Sequence, residues 1–462
     1  MTTNDSMEKA ETATERPRAS PWRNLDFRRL MVGNTASHFG YQISDVAVPL
    51  VAVTTVGASA FDVGLMRMVG QLPYLLLVLF VGVLVDRWRR RNVLIAADLG
   101  RALALALIPL AYAFHGLGIS TLYIVAFLVG TCTVLFDVGA QAFLPRVIER
   151  EQLAKGNSEL ETARSTALIC GPALGGLLVS LIMPPAAVVA AVGFFLLSAL
   201  AIWRIQKPEP APETSQRTGN PFPQIAAGMR FVFGNAVLRS VTIITASFNF
   251  CYAAFTAIYI VFLPKELHLS GFAIGLAFAA MGPGLLVGAL FSAELPKRFG
   301  YGRVLITCAF VSNIFLLGIS MLHGSGVLTV ALLVSLNFMY GCLSQTFAVS
   351  LVAIRQSITP DRFLGRVMAT LRFLGVGLVP FGSLFGGLLA TQVGMRPALF
   401  AIALVMCLVP VPYFLMPTAL TKIGTELPKV DNGDDDADAD AEVADAEVAK
   451  ADAKADAKAD NA

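Results

Sequence analysis

The chain has 462 residues, of which 56% are hydrophobic and only 15% are charged. Soluble globular domains carry about a quarter charged residues, so this composition excludes an ordinary soluble domain. The net charge is only +3, and the basic residues cluster in alternate loops between apolar runs. That distribution is typical of membrane topology and excludes a nucleic-acid-binding protein.

Apolar runs of membrane-spanning length recur along most of the chain. About 20 apolar residues cross the hydrocarbon core as a helix, and twelve such runs fit the sequence. Strict alternation of apolar and polar residues is absent from them, and only helices or closed barrels satisfy the backbone in lipid. We therefore predict an all-α membrane protein with twelve transmembrane helices. The predicted spans are 29–57, 61–85, 92–114, 119–142, 158–183, 185–205, 238–263, 272–293, 303–323, 326–349, 366–393 and 396–416.

The basic residues predict the orientation of these helices. Four arginines, from Arg87 to Arg91, follow the second helix, and similar groups follow the fourth, sixth, eighth and tenth, the last of them beginning with Arg355. The opposite loops contain few basic residues, with Lys265 and Arg396 as the exceptions. Because basic loops stay in the cytoplasm, we expect both termini to be cytoplasmic in a bacterial-type inner (plasma) membrane. Residues 1–24 lack the apolar segment that forms the core of a signal peptide. Because they are polar, we expect them to form a disordered cytoplasmic N-terminus.

The two halves of the chain match at one constant offset. Gly175-Gly176-Leu177-Leu178 recurs 211 residues later as Gly386-Gly387-Leu388-Leu389, and Tyr41 matches Tyr252 at the same offset. The repeat predicts two pseudo-symmetric six-helix halves, 25–205 and 238–420, related by an axis along the membrane normal. A substrate is then expected between the halves near the midplane.

Two further segments lie outside the repeat. Residues 206–237 are predicted to be a cytoplasmic linker, with a short interfacial helix in its later part because apolar residues recur there at helical spacing. Residues 421–462 are predicted to be a disordered acidic cytoplasmic tail. From Asp431 onward it has twelve acidic residues and three lysines, a composition that cannot bury a core. A partner-binding tail is the alternative.

The loop after the second helix carries a family resemblance. It reads Gly82-Val-Leu-Val-Asp86-Arg87-Trp88-Arg89-Arg90-Arg91, and Asp98 and Arg101 follow in the third helix. This resembles the signature loop of the major facilitator superfamily, except that Arg89 stands where many relatives have glycine. The resemblance spans 25–416 and implies the major facilitator fold. A carboxylate such as Asp86 is favoured near a helix N-terminus of the other half. The predicted conformational latch comprises Gly82, Asp86, Arg87, Arg90, Asp98 and Arg101; the alternative is that the arginines only set topology.

The fifth helix contains a second motif, Gly171-Pro172-Ala173-Leu174-Gly175-Gly176. It resembles the glycine–proline motif of the superfamily's antiporters, which mostly export, although the upstream glycines are replaced by Ala163 and Ala167. Proline kinks a helix and glycines allow close packing. The resemblance implies export, whereas packing alone is the alternative. The antiporter-like residues are Gly171, Pro172, Gly175 and Gly176.

Three short segments narrow the resemblance to one branch. They are Asp45-Val-Ala-Val-Pro49-Leu50, Phe143-Leu-Pro145-Arg146 and Gly365-Arg366-Val367. They resemble the macrolide-efflux and enterobactin-exporter branch of drug:proton antiporters, and the resemblance implies export of drugs or siderophores in exchange for protons. The arginine that many such antiporters carry in the fourth helix is missing, and Asp137 and Gln141 are present there instead.

Polar residues form one stripe on the first helix and a matching stripe on the seventh. We predict that both stripes face the substrate cavity, with interhelical hydrogen bonding as the alternative. Asp45 is the proposed proton carrier because intramembrane ionisable groups are functional by default, and Asp137 is its competitor unless it pairs with Arg164. The cavity candidates are Asn34, His38, Tyr41 and Gln42 on the first helix and Asn249, Tyr252, Thr256 and Tyr259 on the seventh.

These features predict a proton-coupled antiporter that exports amphipathic small molecules by alternating access. The expected partners are the substrate, protons and the lipid bilayer, without nucleic acid, and we expect the monomer to be functional. No enzyme activity, cofactor or metal site is expected, and the six cysteines fall within apolar runs without metal-ligand spacing. The alternatives are a metabolite importer or facilitator and a transporter-like sensor that moves nothing.

Overall fold

The computed structural model describes residues 21–149, 152–182, 184–207, 229–230, 232–292, 294–359, 367, 370–371, 374–415 and 423–425. The side chains of residues 78–87 are not among them. The N-terminal segment before residue 21, most of the predicted interfacial helix, most of the beginning of the predicted eleventh span and nearly all of the acidic tail lie outside the described residues.

The described part of the chain contains twelve long helices and no strand, which confirms the predicted all-α architecture. The first continues through a π-helical turn to Val56. Eleven spans are long and apolar enough to cross a membrane; only α2, with its incompletely described side chains, is not among them. The helices are α1 Leu25–Val51, α2 Ala60–Arg87, α3 Arg90–Ala113, α4 Ile119–Val147, α5 Leu153–Leu181, α6 Pro184–Trp203, α7 Ala236–Lys265, α8 Gly271–Phe291, α9 Tyr301–Ser320, α10 Val327–Ser357, α11 Val379–Val393 and α12 Met395–Leu408.

The internal repeat is visible in the helix caps and in the packing. Asn24 caps α1 by accepting hydrogen bonds from two backbone N–H groups, and Asn235, 211 residues later, caps α7 in the same way. A Cβ atom on Gly175 of α5 would lie 3.3 Å from the carbonyl oxygen of Ile43. A Cβ on Gly386 of α11 would lie 2.3 Å from the carbonyl oxygen of Ala254, so glycine permits the same close approach in both halves.

The helices form two compact units. The first contains α1, α3 to α6 and α2 from residue 72 onward, and its core includes Phe27, Leu94 and Phe136. The second contains α7 to α12, with a core around Ile244 and Leu305.

The second unit also contains residues 58–71 at the beginning of α2. A Cβ on Gly64 would lie 2.6 Å from the carbonyl oxygen of Ser383 and 3.0 Å from the Cα of Gly387. The ammonium group of Lys265 donates a hydrogen bond of 2.6 Å to the carbonyl oxygen of Ala58. One close backbone approach and one hydrogen bond therefore attach this segment to the second unit, an arrangement that the sequence did not predict.

Helix α10 is longer than its predicted span. It was predicted to end at residue 349 but continues to Ser357, because Leu351 and Ile354 extend its buried apolar face. Arg355, expected to follow the helix in a cytoplasmic loop, is instead part of its last turns. The predicted end was too early because an arginine lowers the mean hydropathy of a segment even when its apolar neighbours are buried.

Candidate transport site

The polar stripe of α1 coincides with a half-exposed face of that helix. His38, Tyr41, Gln42 and Asp45 are half-buried, whereas the intervening residues from Ile43 to Ser44 are buried. These four candidates therefore share one face that the rest of the bundle leaves open. Asn34 does not lie on this face, because it is buried inside the first unit with only 4% of its surface exposed.

A charged pair on α5 lies near this face. Arg164 and Glu161 form an exposed ion pair with a shortest N···O distance of 2.8 Å, and both are close enough to His38 to act on it electrostatically. Asp137 of α4 is half-buried and interacts electrostatically with Arg164, but the hydrogen bonds of that guanidinium go to Glu161. Glu161 was not predicted from the sequence, although its spacing of three residues from Arg164 was the available signal.

The glycine–proline motif of α5 packs directly on α1 beside Asp45. A Cβ on Gly171 would lie 2.4 Å from the Cβ of Gln42, and one on Gly175 would lie 3.5 Å from the Cβ of Val46. Pro172 and Gly176 are also buried. The motif is therefore the surface on which the central part of α1 rests, and it sets the distance between α1 and α5 at the level of Asp45.

Two residues of the predicted latch form a buried network inside the first unit. Arg101 and Asp98 form an ion pair, with 2% and 0% of their side chains exposed. Ser198 of α6 donates a 2.5 Å hydrogen bond to Asp98, and Ser37 of α1 donates one of 3.2 Å. The Arg101 guanidinium also lies over the rings of Phe136 and Phe195, 4.5 and 4.4 Å from their centroids. The network thus connects α1, α3, α4 and α6, so it holds the first unit together.

The other latch residues lie at the junction of α2 and α3. Gly82, Asp86 and Arg87 are in the last turns of α2, where the side chains lie outside the described residues. Arg90 begins α3 and is half-buried. Its neighbour Arg91 donates hydrogen bonds to the carbonyl oxygens of Ile202 and Trp203 at the end of α6. Arg91 therefore attaches the beginning of α3 to the end of α6.

The stripe of α7 is used partly for helix packing. Asn249 donates a hydrogen bond of 3.0 Å to the carbonyl oxygen of Gly375, and Tyr259 accepts one of 2.9 Å from Asn337 of α10. Tyr259 is buried, whereas Tyr252 and Thr256 are half-buried. Asn249 and Tyr259 therefore form hydrogen bonds to other parts of the bundle, which was the alternative to a role in the cavity. Tyr252 and Thr256 remain on the half-exposed part of the stripe.

Aromatic rings extend this open part toward α10. Tyr252 stacks on Phe248 and on Tyr340, each with ring centroids 5.7 Å apart. Phe347 lies 5.9 Å from Phe248. The result is an aromatic wall, consisting of Phe248, Tyr252, Tyr340 and Phe347, in which Tyr340 and Phe347 are buried and the half-buried Phe248 and Tyr252 offer apolar surface beside a few polar groups.

Acidic residues are distributed unequally between the two halves. Helices α7 to α12 contain no aspartate or glutamate over the ranges given above, whereas α1, α3 and α4 contain Asp45, Asp98 and Asp137. The acidic residues of the twelve long helices therefore all lie in the first half of the chain. Among the described residues no group of three or more potential ligands could hold a metal ion.

Comparison with known proteins places these features in a family. The model of a family described as transmembrane secretion effector matches residues 17–449. The multidrug efflux pump Tap of Mycolicibacterium fortuitum is 27% identical over 386 residues, which cover 82% of this chain and 92% of Tap. Macrolide efflux protein A of Streptococcus pyogenes is 24% identical over 387 residues, covering 81% and 91% of the two chains.

Solved structures of transporters have the same fold. The nucleoside transporter NupG aligns with a TM-score of 0.66 at 13% identity, over 85% of this chain and 98% of NupG. A bacterial homologue of the human lysosomal transporter Spinster aligns with a TM-score of 0.66 at 14% identity, over 86% and 97% of the chains. These likenesses confirm the predicted transporter fold of twelve helices in two halves.

Proposed function

Because the chain belongs to the transmembrane secretion effector family of the major facilitator superfamily, and is thus an efflux transporter and not an enzyme, we propose that it exports amphipathic small molecules in exchange for protons by alternating access. The observation that supports the exchange of substrate for protons is the position of Asp45. It is an ionisable residue on a half-exposed face inside a membrane-spanning helix, and the motif of α5 holds that helix in place.

Asp45 is the principal proton carrier in this mechanism. It lies about 22 Å along the helix axis from Leu30, at about 1.5 Å per residue, close to the middle of the bilayer. The equivalent position in the second half is Thr256, so the packing of the repeat does not require a charge here. A carboxyl group that takes up a proton on one side and releases it on the other couples the proton gradient to substrate movement. Asp137 is the competing carrier.

The substrate contacts the aromatic wall and the open parts of the two polar stripes. A mostly apolar surface with a few polar groups suits a bulky amphipathic ligand. The names of the relatives support this class, since Tap is called a multidrug pump and the streptococcal protein a macrolide efflux protein. We further propose that the monomer works in a bacterial plasma membrane with both termini in the cytoplasm.

The loop between α2 and α3 contributes the conformational latch. Asp86, within a cluster of four arginines, binds the positive N-terminal end of a helix of the other half in one conformation and releases it in the other. Asp98 and Arg101 support this latch indirectly, because their network keeps the first unit rigid as it moves.

Transport into inverted membrane vesicles tests the function. Vesicles that contain the protein should accumulate an amphipathic dye when an inward-acidic proton gradient is imposed, and a protonophore should abolish the accumulation. Vesicles without the protein are the control. Equilibration without accumulation would indicate a facilitator, and no movement of any probe would contradict transport. Accumulation in the opposite vesicle orientation alone would indicate import.

A further inference from the structure

Arg355 is the last residue of the apolar span of α10. Its Nη2 donates a hydrogen bond of 2.8 Å to Oγ1 of Thr245, and its Nε is buried with no hydrogen-bond partner among the residues that the structure describes. No acidic side chain of the described residues forms an ion pair with it. A buried donor without an acceptor is unfavourable, and most buried polar groups in proteins are satisfied. The guanidinium is thus poised to bind a further acceptor.

The direction of this side chain is informative. Thr245 lies on the same half-exposed stripe of α7 as Tyr252 and Thr256, so the hydrogen bond places the guanidinium beside that stripe. Arg396 shows how a purely structural arginine is satisfied in this unit. Its Nη1 donates to the carbonyl oxygens of Ser320 and Leu322, at 3.0 and 2.5 Å, and its guanidinium lies 5.2 Å from the ring centroid of Phe262. Arg355 forms no comparable set of contacts.

The aromatic wall continues directly from this cation. Along α10 and α7 the facing residues are Tyr340 with Tyr252, Phe347 with Phe248, and Arg355 with Thr245. Phe248 and Tyr252 are half-buried and offer ring surface. The half-buried rings of Phe248 and Tyr252 therefore lie on the stripe of α7 that continues to Thr245 and the Arg355 guanidinium, and helices α7 to α12 contain no acidic residue.

We propose that Arg355 and Thr245 form an acceptor-binding subsite that holds the carboxylate, or another strong hydrogen-bond acceptor, of an amphipathic substrate whose apolar body lies on Phe248 and Tyr252. A guanidinium binds a carboxylate through two parallel hydrogen bonds and repels a cationic head. This inference rests on the proposed export function and assigns its preferred substrates to the anionic or acceptor-rich class.

The test compares three fluorescent probes that share one dansyl body and differ in the head group, which is a carboxylate, its methyl ester or a trimethylammonium. The full-length protein in an uncharged detergent is titrated with each probe and the dissociation constants are compared. The carboxylate probe should bind most tightly to the unaltered protein. Arg355→Gln should weaken binding of that probe about tenfold, since a charge-assisted hydrogen bond is lost, and should leave trimethylammonium binding unchanged or stronger.

Two further variants make the result specific. Arg355→Lys keeps the charge and should retain part of the carboxylate preference, and Arg239→Gln, an exposed arginine near the same end of α7, should change nothing. If Arg355→Gln does not remain monodisperse, Thr245→Val replaces it and should lower the same preference. Equal effects on all three probes, or tighter binding of the ammonium probe to the unaltered protein, would overturn the proposal. The vesicle experiment tests the proposed export function separately. Proton-driven dye export that persists when the probe-binding result fails would overturn only the subsite, whereas failure of dye export would contradict only the proposed function.

Discussion

The guanidinium of Arg101 and the carboxylate of Asp98 form an ion pair in the interior of the first unit. With 2% and 0% of the side chains exposed, the pair is stable only because both partners are present. Ser37 and Ser198 each donate a further hydrogen bond to the carboxylate.

Asp98→Ala should therefore destabilise the protein strongly. The change leaves Arg101 buried without its counter-ion, and breaking a buried pair costs about 3–5 kcal/mol. Thermal unfolding of the purified protein in detergent measures the effect. The matched control is Glu161→Gln, which breaks an exposed pair worth about 0–1 kcal/mol. Equal melting temperatures for the two variants would show that the buried network does not hold the unit together.

Gly171→Ala should impair transport by displacing α1. The added Cβ would lie 2.4 Å from the Cβ of Gln42, so the two helices must separate, and such overpacking costs about 1–3 kcal/mol. Gly193→Ala on α6 is the control, because nothing lies within 4 Å of its added Cβ. Dye transport in vesicles, normalised to the amount of protein, is the measurement. A fully active Gly171→Ala variant would mean that the motif does not position Asp45.

Asp45→Asn should abolish gradient-driven efflux while substrate binding remains measurable, because the amide cannot take up and release a proton. Asp137→Asn, made in parallel, separates the two candidate carriers. Vesicle transport and probe binding are measured at several pH values for both variants. If Asp45→Asn still transports against a gradient with the pH dependence of the unaltered protein, the carrier is another group.

Asp86→Asn should preserve membrane insertion but shift the balance of conformations. A two-state equilibrium moves tenfold for about 1.4 kcal/mol, which one lost charge–dipole contact can supply. Labelling of single cysteines introduced along the α1 stripe reports accessibility from each side, alongside transport. Unchanged accessibility together with unchanged transport would exclude the latch.

The orientation can be checked with two introduced cysteines in a background that lacks the six native ones. Gly118→Cys, between α3 and α4, should react with an impermeant thiol reagent added outside intact cells. Asn92→Cys, at the beginning of α3, should react only after the membrane is opened. The reverse pattern would refute the orientation derived from the basic loops.

The sequence by itself determined the number of helices, the repeat and the face of α1 that carries Asp45. These features follow from properties of single segments. The hydrophobicity of a segment decides whether it enters the lipid, and the spacing of residues along a helix decides which of them share a face, whatever the other helices are. The half-buried His38, Tyr41, Gln42 and Asp45 agree with the predicted stripe, and Asn24 and Asn235 repeat at the offset found in the sequence.

Only the tertiary structure decided which helices meet and where each polar group finds its partner. Asp98 bonds to Ser37 and Ser198, 61 and 100 residues away, and Gly64 lies against Gly387 in the other half of the chain. Arg355 was counted among the loop charges, yet it lies within α10 and reaches Thr245, 110 residues away. Such contacts depend on side-chain volume and close approach between distant segments, which hydropathy and spacing along the chain do not contain.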